Sequence, residues 1–478
     1  MLFSTYQFIF VFLPVVFFGY FALLKLNRFH LEKVWLIAAS LFFYAQGSIE
    51  FFPFFVGGIV VNYLVGTLLS RWERKTVLKR LLFAVTVLAN IALLGYYKYM
   101  DFFIDNVNFI AGTNYQHWNL VLPIGISFFT FQQIAFLVDS YRRVTEEYNF
   151  LNYALFVSFF PQLIVGPIVH HKEIIPQLED PDNRRINFDN ISKGLMIFII
   201  GCSKKILLSD PLTTDAQAFF NGVKDGIPFI DAWYHSFQYT ISYYFDLSGY
   251  ADMAIGLGYL FNVKIPQNFN SPYKALNFQD YWRRWHITLS RFLSNYVFRN
   301  VYRKGNRWRN FYVATMVTFF VSGFWHGAGW TFVLWGVVNG LFVCIASWRG
   351  RHGKHMRKAP AFLLTTLGII MTRVLFVSTS FQNAWLVYKG MFNFSAAGGS
   401  GLGRISSCIQ YAMDFLYAQG KTGLILLLAA GICWFAPNTS QIMEKHKNNR
   451  LSLACAAVLM VLCIYNMSKV VPFLYFQF

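Results

Sequence analysis

Residues 81–97, LLFAVTVLANIALLGYY, form an uncharged and predominantly apolar stretch. A membrane-spanning helix requires about 20 such residues, and this stretch approaches that length. Runs of the same character, several of them short, recur at 8–24, 34–48, 52–70, 119–138, 191–209, 229–247, 312–326, 330–348, 361–380, 421–436 and 451–475. The sequence therefore predicts an all-α polytopic membrane protein with about 11–12 transmembrane helices. Residues 1–478 are predicted to form a single integral-membrane domain.

The overall composition supports this class of protein. Of the 478 residues, 56% are hydrophobic and 13% are charged, whereas soluble domains carry about 25% charged residues. These proportions exclude a disordered chain, a coiled coil and an ordinary cytosolic enzyme. The net charge of +19 does not predict nucleic-acid binding, because Lys and Arg occur in short clusters between the apolar runs.

The basic clusters also predict the orientation of the chain. They fall on alternate loops if residues 150–169 enter and leave on one face of the membrane, and the positive-inside rule makes those loops cytoplasmic. Both termini are then extracytoplasmic. Pro161, Gly166 and Pro167 interrupt the apolar stretch 150–169, which favours a re-entrant segment shielded from lipid by the bundle. Residues 248–300 mix apolar, aromatic and charged side chains and are predicted to be buried or interfacial.

His326 lies between two predicted spans, within VSGFWHGAGW at residues 321–330. An ionisable group inside a membrane is costly to bury and is a functional-site candidate. Gly323, Gly327 and Gly329 flank it and leave space beside the ring. The ordinary histidine pKa of about 6.5 suits a general base near neutral pH. The alternative is a core histidine that forms hydrogen bonds between helices.

His286 directly follows the sequence DYWRRW. If this segment is one helix, Trp282 and Trp285 share a face and His286 lies beside it. Arg283 and Arg284 are suited to bind an anionic group such as a donor phosphate. The alternative is an interfacial helix that uses its tryptophans and arginines as membrane anchors.

The carboxylates of Asp246 and Asp252 lie in apolar stretches of the sequence, and each needs a partner there. Pairing of Asp246 and Asp252 with Arg283 and Arg284 would give these carboxylates a structural role. A carboxylate-dyad hydrolase is the alternative, and no other motif supports it. Asn270 belongs to a polar, turn-rich stretch and is a candidate for lining a cavity or binding substrate.

Metal and serine-nucleophile chemistry are not indicated by the residue patterns. His170 and His171 are adjacent, yet no third ligand is spaced to complete a convincing metal site. Neither a GxSxG nucleophile motif, nor a Walker loop, nor a GxGxxG motif occurs in a fitting context.

Several ordered motifs occur along the chain. They are LPIGISFFTFQQIAFLVDSYR at 122–142, FFPQLIVGPIVHH at 159–171, YFDLSGYADMAIGLGYLFN at 244–262, FNSPYKALNFQDYWRRWHITLSRFLSNYVF at 269–298 and VSGFWHGAGWTFVLWGVVNGL at 321–341. Together these motifs resemble the membrane-bound O-acyltransferase family, and most closely its bacterial polysaccharide O-acetyltransferase branch, typified by the membrane subunit of alginate O-acetyltransferase. The resemblance covers most of the chain.

The resemblance implies a helical bundle around a central tunnel in a bacterial cytoplasmic (inner) membrane. It implies transfer of an acetyl group from a cytoplasmic thioester, with acetyl-CoA or another acyl thioester as co-substrate and no bound cofactor. His326 matches the essential histidine of the family, and His286 matches its second motif position. The implied acceptor is an extracytoplasmic polysaccharide, and an extracytoplasmic partner of the SGNH-esterase type often completes the transfer in this branch.

Other functions remain open at this point. Within the enzyme class they are peptidoglycan O-acetylation and D-alanylation of teichoic acid. Outside it they are a transporter or flippase and a membrane subunit without catalytic residues. Two mechanisms also remain open. His326 either accepts the proton of the acceptor hydroxyl, or it carries the acyl group transiently.

Overall fold

The computed structural model describes residues 1–26, 31–74, 76–145, 149–164, 166–302, 307–354, 356–394, 402–445, 450–469, 471, 473 and 474. These residues contain α-helices and short 3₁₀ and π segments but no β-strand, which confirms the predicted all-α class. The helices of the amino-terminal half are α1 (Leu13–Lys25), α2 (Leu31–Ser48), α3 (Phe52–Arg71), α4 (Val77–Ala111), α5 (Ile126–Tyr141), α6 (Phe150–Ser158), α7 (Phe160–Leu163), α8 (His171–Glu179), α9 (Phe188–Ser203) and α10 (Asp210–Asn221).

The second half of the chain continues the helical pattern. Its helices are α11 (Phe229–Leu260), α12 (Phe278–Arg284), α13 (Ile287–Leu293), α14 (Arg299–Val301), α15 (Arg307–His326), α16 (Trp330–Arg351), α17 (Lys358–Val377), α18 (Phe381–Met391), α19 (Leu402–Phe435), α20 (Thr439–Glu444) and α21 (Arg450–Asn466). Gly420 interrupts α19 with a φ of 47°. A π segment at Lys204–Ser209 connects α9 to α10 without a loop.

Six stretches among the described residues are long and apolar enough to cross a membrane. They are Phe8–Lys25, Leu31–Arg71, Val77–Ala111, Trp330–Arg351, Lys358–Val377 and Tyr417–Phe435. Six is fewer than the 11–12 predicted spans. The stretch Leu31–Arg71 joins two predicted runs, 34–48 and 52–70, and the runs at 119–138 and 451–475 form helices of only 16 and 17 residues, α5 and α21. The six stretches make the protein an integral, multi-pass membrane protein, while the orientation of its termini stays a prediction.

The predicted interruption of residues 150–169 is present as a break between two short helices. Helix α6 ends at Ser158, and Phe159 has a ψ of 109° before α7 begins. A helix of nine residues spans about 14 Å and cannot cross the hydrocarbon core of a bilayer. Its re-entrant course relative to the membrane stays a prediction.

The described chain divides into two compact units. The first comprises Met1–Gly201, Tyr250–Gln267 and Asn448–Ala456, and the second comprises Cys202–Gly249, Asn268–Lys447 and Ala457–Phe478. That residues 1–478 act as one functional domain stays a prediction. Both histidines singled out in the sequence belong to the second unit.

Helices α15 and α16 pack through two glycines. A Cβ atom added to Gly336 would lie 2.3 Å from the carbonyl oxygen of Phe319 and 3.0 Å from Cα of Gly323. A Cβ atom added to Gly323 would lie 2.4 Å from the carbonyl oxygen of Phe332. These contacts are with backbone atoms, which cannot rotate away, so the two helices approach closely only without side chains here. We call this contact the glycine contact.

Gly336→Ala is therefore expected to destabilise the protein by about 1–3 kcal/mol through overpacking and to displace the end of α15. The measurement is the thermal unfolding midpoint in detergent. Gly350→Ala is the matched control, since it lies on the same helix and a Cβ there meets nothing within 4 Å. The control should be neutral or slightly stabilising, because alanine favours helix more than glycine does. Equal midpoints for the two variants would contradict this account of the contact.

Candidate active site

His326 is the last residue of α15 and is 3% exposed. The helix ends here because Gly327 and Gly329 follow, and α16 begins at Trp330. Aromatic rings surround the imidazole, with ring centres at 4.9 Å for Trp325, 5.1 Å for Trp335 and 5.4 Å for Phe376. The side chain thus lies in an apolar pocket, where water competes little for its nitrogens.

His286 lies beside His326, with 6.5 Å between the ring centres. It is 4% exposed, and its buried Nδ1 has no hydrogen-bond partner among the described residues. Burial lowers the pKa of His286 to about 3, and this residue lies outside the six membrane-crossing stretches. Its imidazole is therefore neutral at physiological pH, with one nitrogen able to donate and the other able to accept a hydrogen bond.

The backbone at His286 corrects the predicted continuous helix. Helix α12 ends at Arg284, Trp285 is extended, and His286 has a φ of 46° before α13 begins. Trp282 and Trp285 consequently lie on different elements and do not share a helix face. A positive φ is uncommon for a residue other than glycine and persists only where the surroundings fix it.

Asn268 fixes this break between α12 and α13. The backbone N–H of Ile287 donates to the Asn268 carbonyl oxygen at 2.9 Å. The Thr288 backbone N–H and hydroxyl donate to Asn268 Oδ1 at 3.2 and 2.9 Å. These bonds satisfy the first free N–H groups of α13. Sequence reasoning missed Asn268 as a positioning residue, although its polar, turn-rich stretch was a signal.

Trp282 and Arg283 line a cavity of about 230 Å³ between α12, α13, α15 and α16. Its walls are largely apolar with a few hydroxyl groups, which is typical of a small-molecule site. Thr318, Ser322 and His326 follow one another at intervals of four residues on α15 and therefore share one face of that helix. Because Thr318 and Ser322 line the cavity, the cavity lies along the face that carries His326. Its other lining residues are Gln279, Leu289, Ser290, Leu293, Ser294, Phe298, Phe319 and Val343.

The remaining candidate binding residues lie in different surroundings. Arg284 Nε donates to Asp280 Oδ1 at 2.9 Å, and Nη1 donates to the Asn270 carbonyl oxygen at 3.4 Å. The Oδ1 atom of Asn270 accepts a hydrogen bond from Asn438 at 2.8 Å. Trp285 is 2% exposed and stacks within the aromatic core. The structure thus places Arg284 and Asn270 in hydrogen bonds with other protein groups, and of the predicted binding residues only Trp282 and Arg283 lie at the cavity.

The predicted pairing of Asp246 with Arg283 or Arg284 is wrong. Asp246 Oδ1 lies 2.6 Å from Lys205 Nζ, which also lies 2.7 Å from Asp210 Oδ1. All three side chains are buried. Sequence reasoning missed Lys205 because it lies at the end of an apolar run and far from Asp246 in the chain. Asp252 is half-buried on α11.

The end of the chain binds this Lys205–Asp210–Asp246 triad. The backbone N–H of Leu474 donates to Asp246 Oδ2 at 2.9 Å, and that of Val471 donates to Asp210 Oδ2 at 3.4 Å. Each carboxylate therefore receives both an ammonium and a backbone donor, as a buried charge requires. The contacts of Asp246 are thus with Lys205 and the backbone of Leu474, and the structural role predicted for it stays a prediction.

The prediction that His170 and His171 lack a third possible ligand is wrong. Asp139, 32 residues before His171, brings its Oδ2 to within 2.8 Å of His170 Nε2 and 3.2 Å of His171 Nε2. However, the backbone N–H of Lys172 donates to His170 Nδ1 at 3.3 Å. A neutral His170 must then carry its hydrogen on Nε2, which leaves no lone pair there for a metal. The group fits a hydrogen-bonded cluster better than a metal centre.

Comparison with known proteins agrees with the resemblance of the motifs. Residues 51–349 match the membrane-bound O-acyltransferase family. A peptidoglycan O-acetyltransferase of Helicobacter pylori is 40% identical over 100% of this chain and 98% of its own length. A probable alginate O-acetylase of Pseudomonas aeruginosa is 34% identical over 82% of this chain and 75% of its own. A teichoic acid D-alanyltransferase of Streptococcus thermophilus is 27% identical over 46% of this chain. The chain therefore belongs to the membrane-bound O-acyltransferase family and is an acyltransferase.

Proposed function

We propose that this acyltransferase moves an acetyl group from a thioester donor to hydroxyl groups of a cell-envelope polysaccharide on the far side of the cytoplasmic membrane. The observation that carries the proposal is the buried pair of His326 and His286, whose ring centres are 6.5 Å apart. A hydroxyl needs a base to become a good nucleophile, and a neutral buried imidazole is a suitable one.

Peptidoglycan is the acceptor that the comparisons favour. The relative named for peptidoglycan O-acetylation matches the full chain, whereas those named for alginate match 82% to 85% of it. An alginate-like exopolysaccharide is therefore the second candidate. D-alanyl transfer to teichoic acid has less support, since the relatives with that name match only 46% and 55% of this chain.

The proposed transfer uses His326 as the general base. Its imidazole takes the proton of the acceptor hydroxyl as that oxygen bonds to the thioester carbonyl carbon. The carbonyl oxygen then carries a negative charge, and His286 is placed to donate a hydrogen bond to it. When the intermediate collapses, the carbon–sulfur bond breaks and the imidazolium of His326 returns its proton to the leaving thiolate.

The proposed donor is acetyl-CoA, acting as a co-substrate rather than as a bound cofactor. Arg283 at the cavity carries a guanidinium suited to a phosphate, and the apolar wall beside Trp282 suits an uncharged thioester arm. Arg284 is the weaker candidate, because its guanidinium already binds Asp280. An extracytoplasmic partner of the SGNH type is proposed to complete the transfer. The hydroxyl that His326 activates then belongs to a first acceptor, from which the partner passes the acetyl group to the polysaccharide.

The test uses inside-out membrane vesicles from the bacterial host, which retain partner proteins and enclose peptidoglycan fragments. Radiolabelled acetyl-CoA is added outside, and base-labile label on the enclosed glycan is counted. Vesicles from a strain that lacks this protein are the control. We expect label that depends on the protein. Vesicles that instead transfer D-alanine from a carrier-protein thioester, and no acetyl group, would contradict the proposal.

A further inference from the structure

Arg373 is a buried cation within the membrane-crossing helix α17. It is 4% exposed, and its helix is among the six stretches apolar enough to span a bilayer. A charged side chain in such a position is costly and marks a function or a specific compensating contact. The sequence signal for this residue is that Arg373 is the single arginine in the apolar run 361–380.

Aromatic rings, rather than a carboxylate, surround this guanidinium. Its Cζ atom lies 4.5 Å from the ring centre of Tyr243, and 5.1 Å from those of both Trp285 and Phe376. Nη2 donates to the hydroxyl of Tyr281 at 3.4 Å. Ring faces attract a cation without neutralising its charge.

No carboxylate among the described residues forms an ion pair with Arg373. Asp246 follows Tyr243 by one turn of α11, but it is bound by Lys205 at 2.6 Å. The Nε atom of Arg373 also has no hydrogen-bond partner in the described part of the chain. The positive charge is therefore held in place but is not cancelled by a direct partner.

Two of the rings that hold Arg373 also build the histidine site. Phe376 contacts His326, with 5.4 Å between ring centres. Trp285 is the residue directly before His286, and it stacks on Tyr243 and Tyr281 at 5.9 and 5.6 Å. One ring thus separates the guanidinium from the proposed general base.

We propose that Arg373 is a positioning residue for acyl transfer. It holds Trp285, the residue before His286, and Phe376, which contacts His326, and its field stabilises the negative charge of the tetrahedral intermediate. The inference rests on the proposed acyl transfer. A unit charge about 10 Å from the oxyanion, at an effective dielectric constant of about 20, changes the rate by roughly tenfold. The thioester carbonyl gains its negative charge only in the intermediate, so Arg373 stabilises the intermediate more than the bound donor. Loss of the charge should therefore lower kcat rather than raise KM for the donor.

The test measures kcat and KM for acetyl-CoA with the full-length protein in vesicles, normalised to folded protein. The variants are Arg373→Met, which removes the charge, and Arg373→Lys, which keeps it. Arg351→Met is the matched control, because this arginine also stacks on rings, 4.5 Å from Phe311 and 5.3 Å from Tyr312, at the end of α16. We expect Arg373→Met to lower kcat about tenfold or more with KM unchanged, Arg373→Lys to restore most of it, and the control to retain kcat.

Three different results would each overturn the inference. If Arg373→Met lowers only the amount of folded protein and leaves kcat unchanged, Arg373 has a structural role alone. If wild-type vesicles transfer no acetyl group, the proposed function fails and the inference fails with it. An equal loss of kcat in Arg373→Lys and Arg373→Met would exclude the charge as the cause.

Discussion

His326→Ala is expected to lower kcat for acyl transfer by about 10²–10⁴-fold or more, because a positioned base contributes that much to a proton transfer. The protein should still fold, since the substitution removes a side chain from the end of α15 and leaves the glycine contact intact. The measurement is the rate of labelled acetyl transfer in vesicles at matched amounts of folded protein.

A matched control for this prediction is His235→Ala. His235 is also buried in the second unit, at 8% exposure, and its Nδ1 lies 2.9 Å from Gln238 Oε1. The His235→Ala variant should therefore retain the wild-type kcat per folded molecule. Turnover near the wild-type rate in folded His326→Ala would contradict the role of general base. Trapping of labelled acetyl on the wild-type protein, and not on His326→Ala, would favour an acyl-histidine over direct transfer.

Lys205→Met is expected to be among the most destabilising single substitutions in the chain, at about 3–5 kcal/mol. It leaves Asp210 and Asp246 buried without their shared cation, and removing one partner of a buried ion pair leaves the other charge uncompensated. The measurement is the yield and thermal midpoint of folded protein in detergent. Lys204→Met is the matched control, because Lys204 Nζ donates to the neutral hydroxyl of Thr439 at 2.9 Å.

A second variant separates the charge effect from lost packing. Adding Asp246→Asn to Lys205→Met removes one of the two uncompensated charges and is expected to recover part of the lost stability. If Lys205→Met unfolds at the same temperature as Lys204→Met, the triad does not contribute as argued. A double variant less stable than Lys205→Met alone would equally contradict the electrostatic explanation.

The sequence predicted the helices because they depend on local pattern, and the same kind of pattern singled out His326, whose catalytic role stays a prediction. Residues 330–348 fall within α16, Trp330–Arg351, since an apolar run of that length has few alternatives to a spanning helix. His326 is a candidate because an ionisable residue between two spans is rare, and the structure places it in a buried aromatic pocket. Its flanking glycines also indicated close helix packing, which the contact between Gly323 and Gly336 confirms.

What the sequence did not predict depends on residues distant in the chain. The break at Trp285–His286 is imposed by Asn268, whereas the local tryptophan spacing fits an unbroken helix equally well. The partner of Asp246 is Lys205 rather than the nearer arginines, because tertiary packing and not sequence proximity decides which charges meet. Asp139 reaches His170 and His171 for the same reason.

The glycine contact between α15 and α16 also bears on how substrates gain access to the site. Contacts between backbone atoms have no rotamers to exchange, so the two helices move as one rigid body and cannot separate by small side-chain adjustments. His326, at the end of this rigid pair, is a fixed reference point during turnover. We therefore expect His326 to keep its 5.1 Å ring spacing from Trp335 of α16 throughout the reaction, so that the motions admitting donor and acceptor occur in elements outside this helix pair.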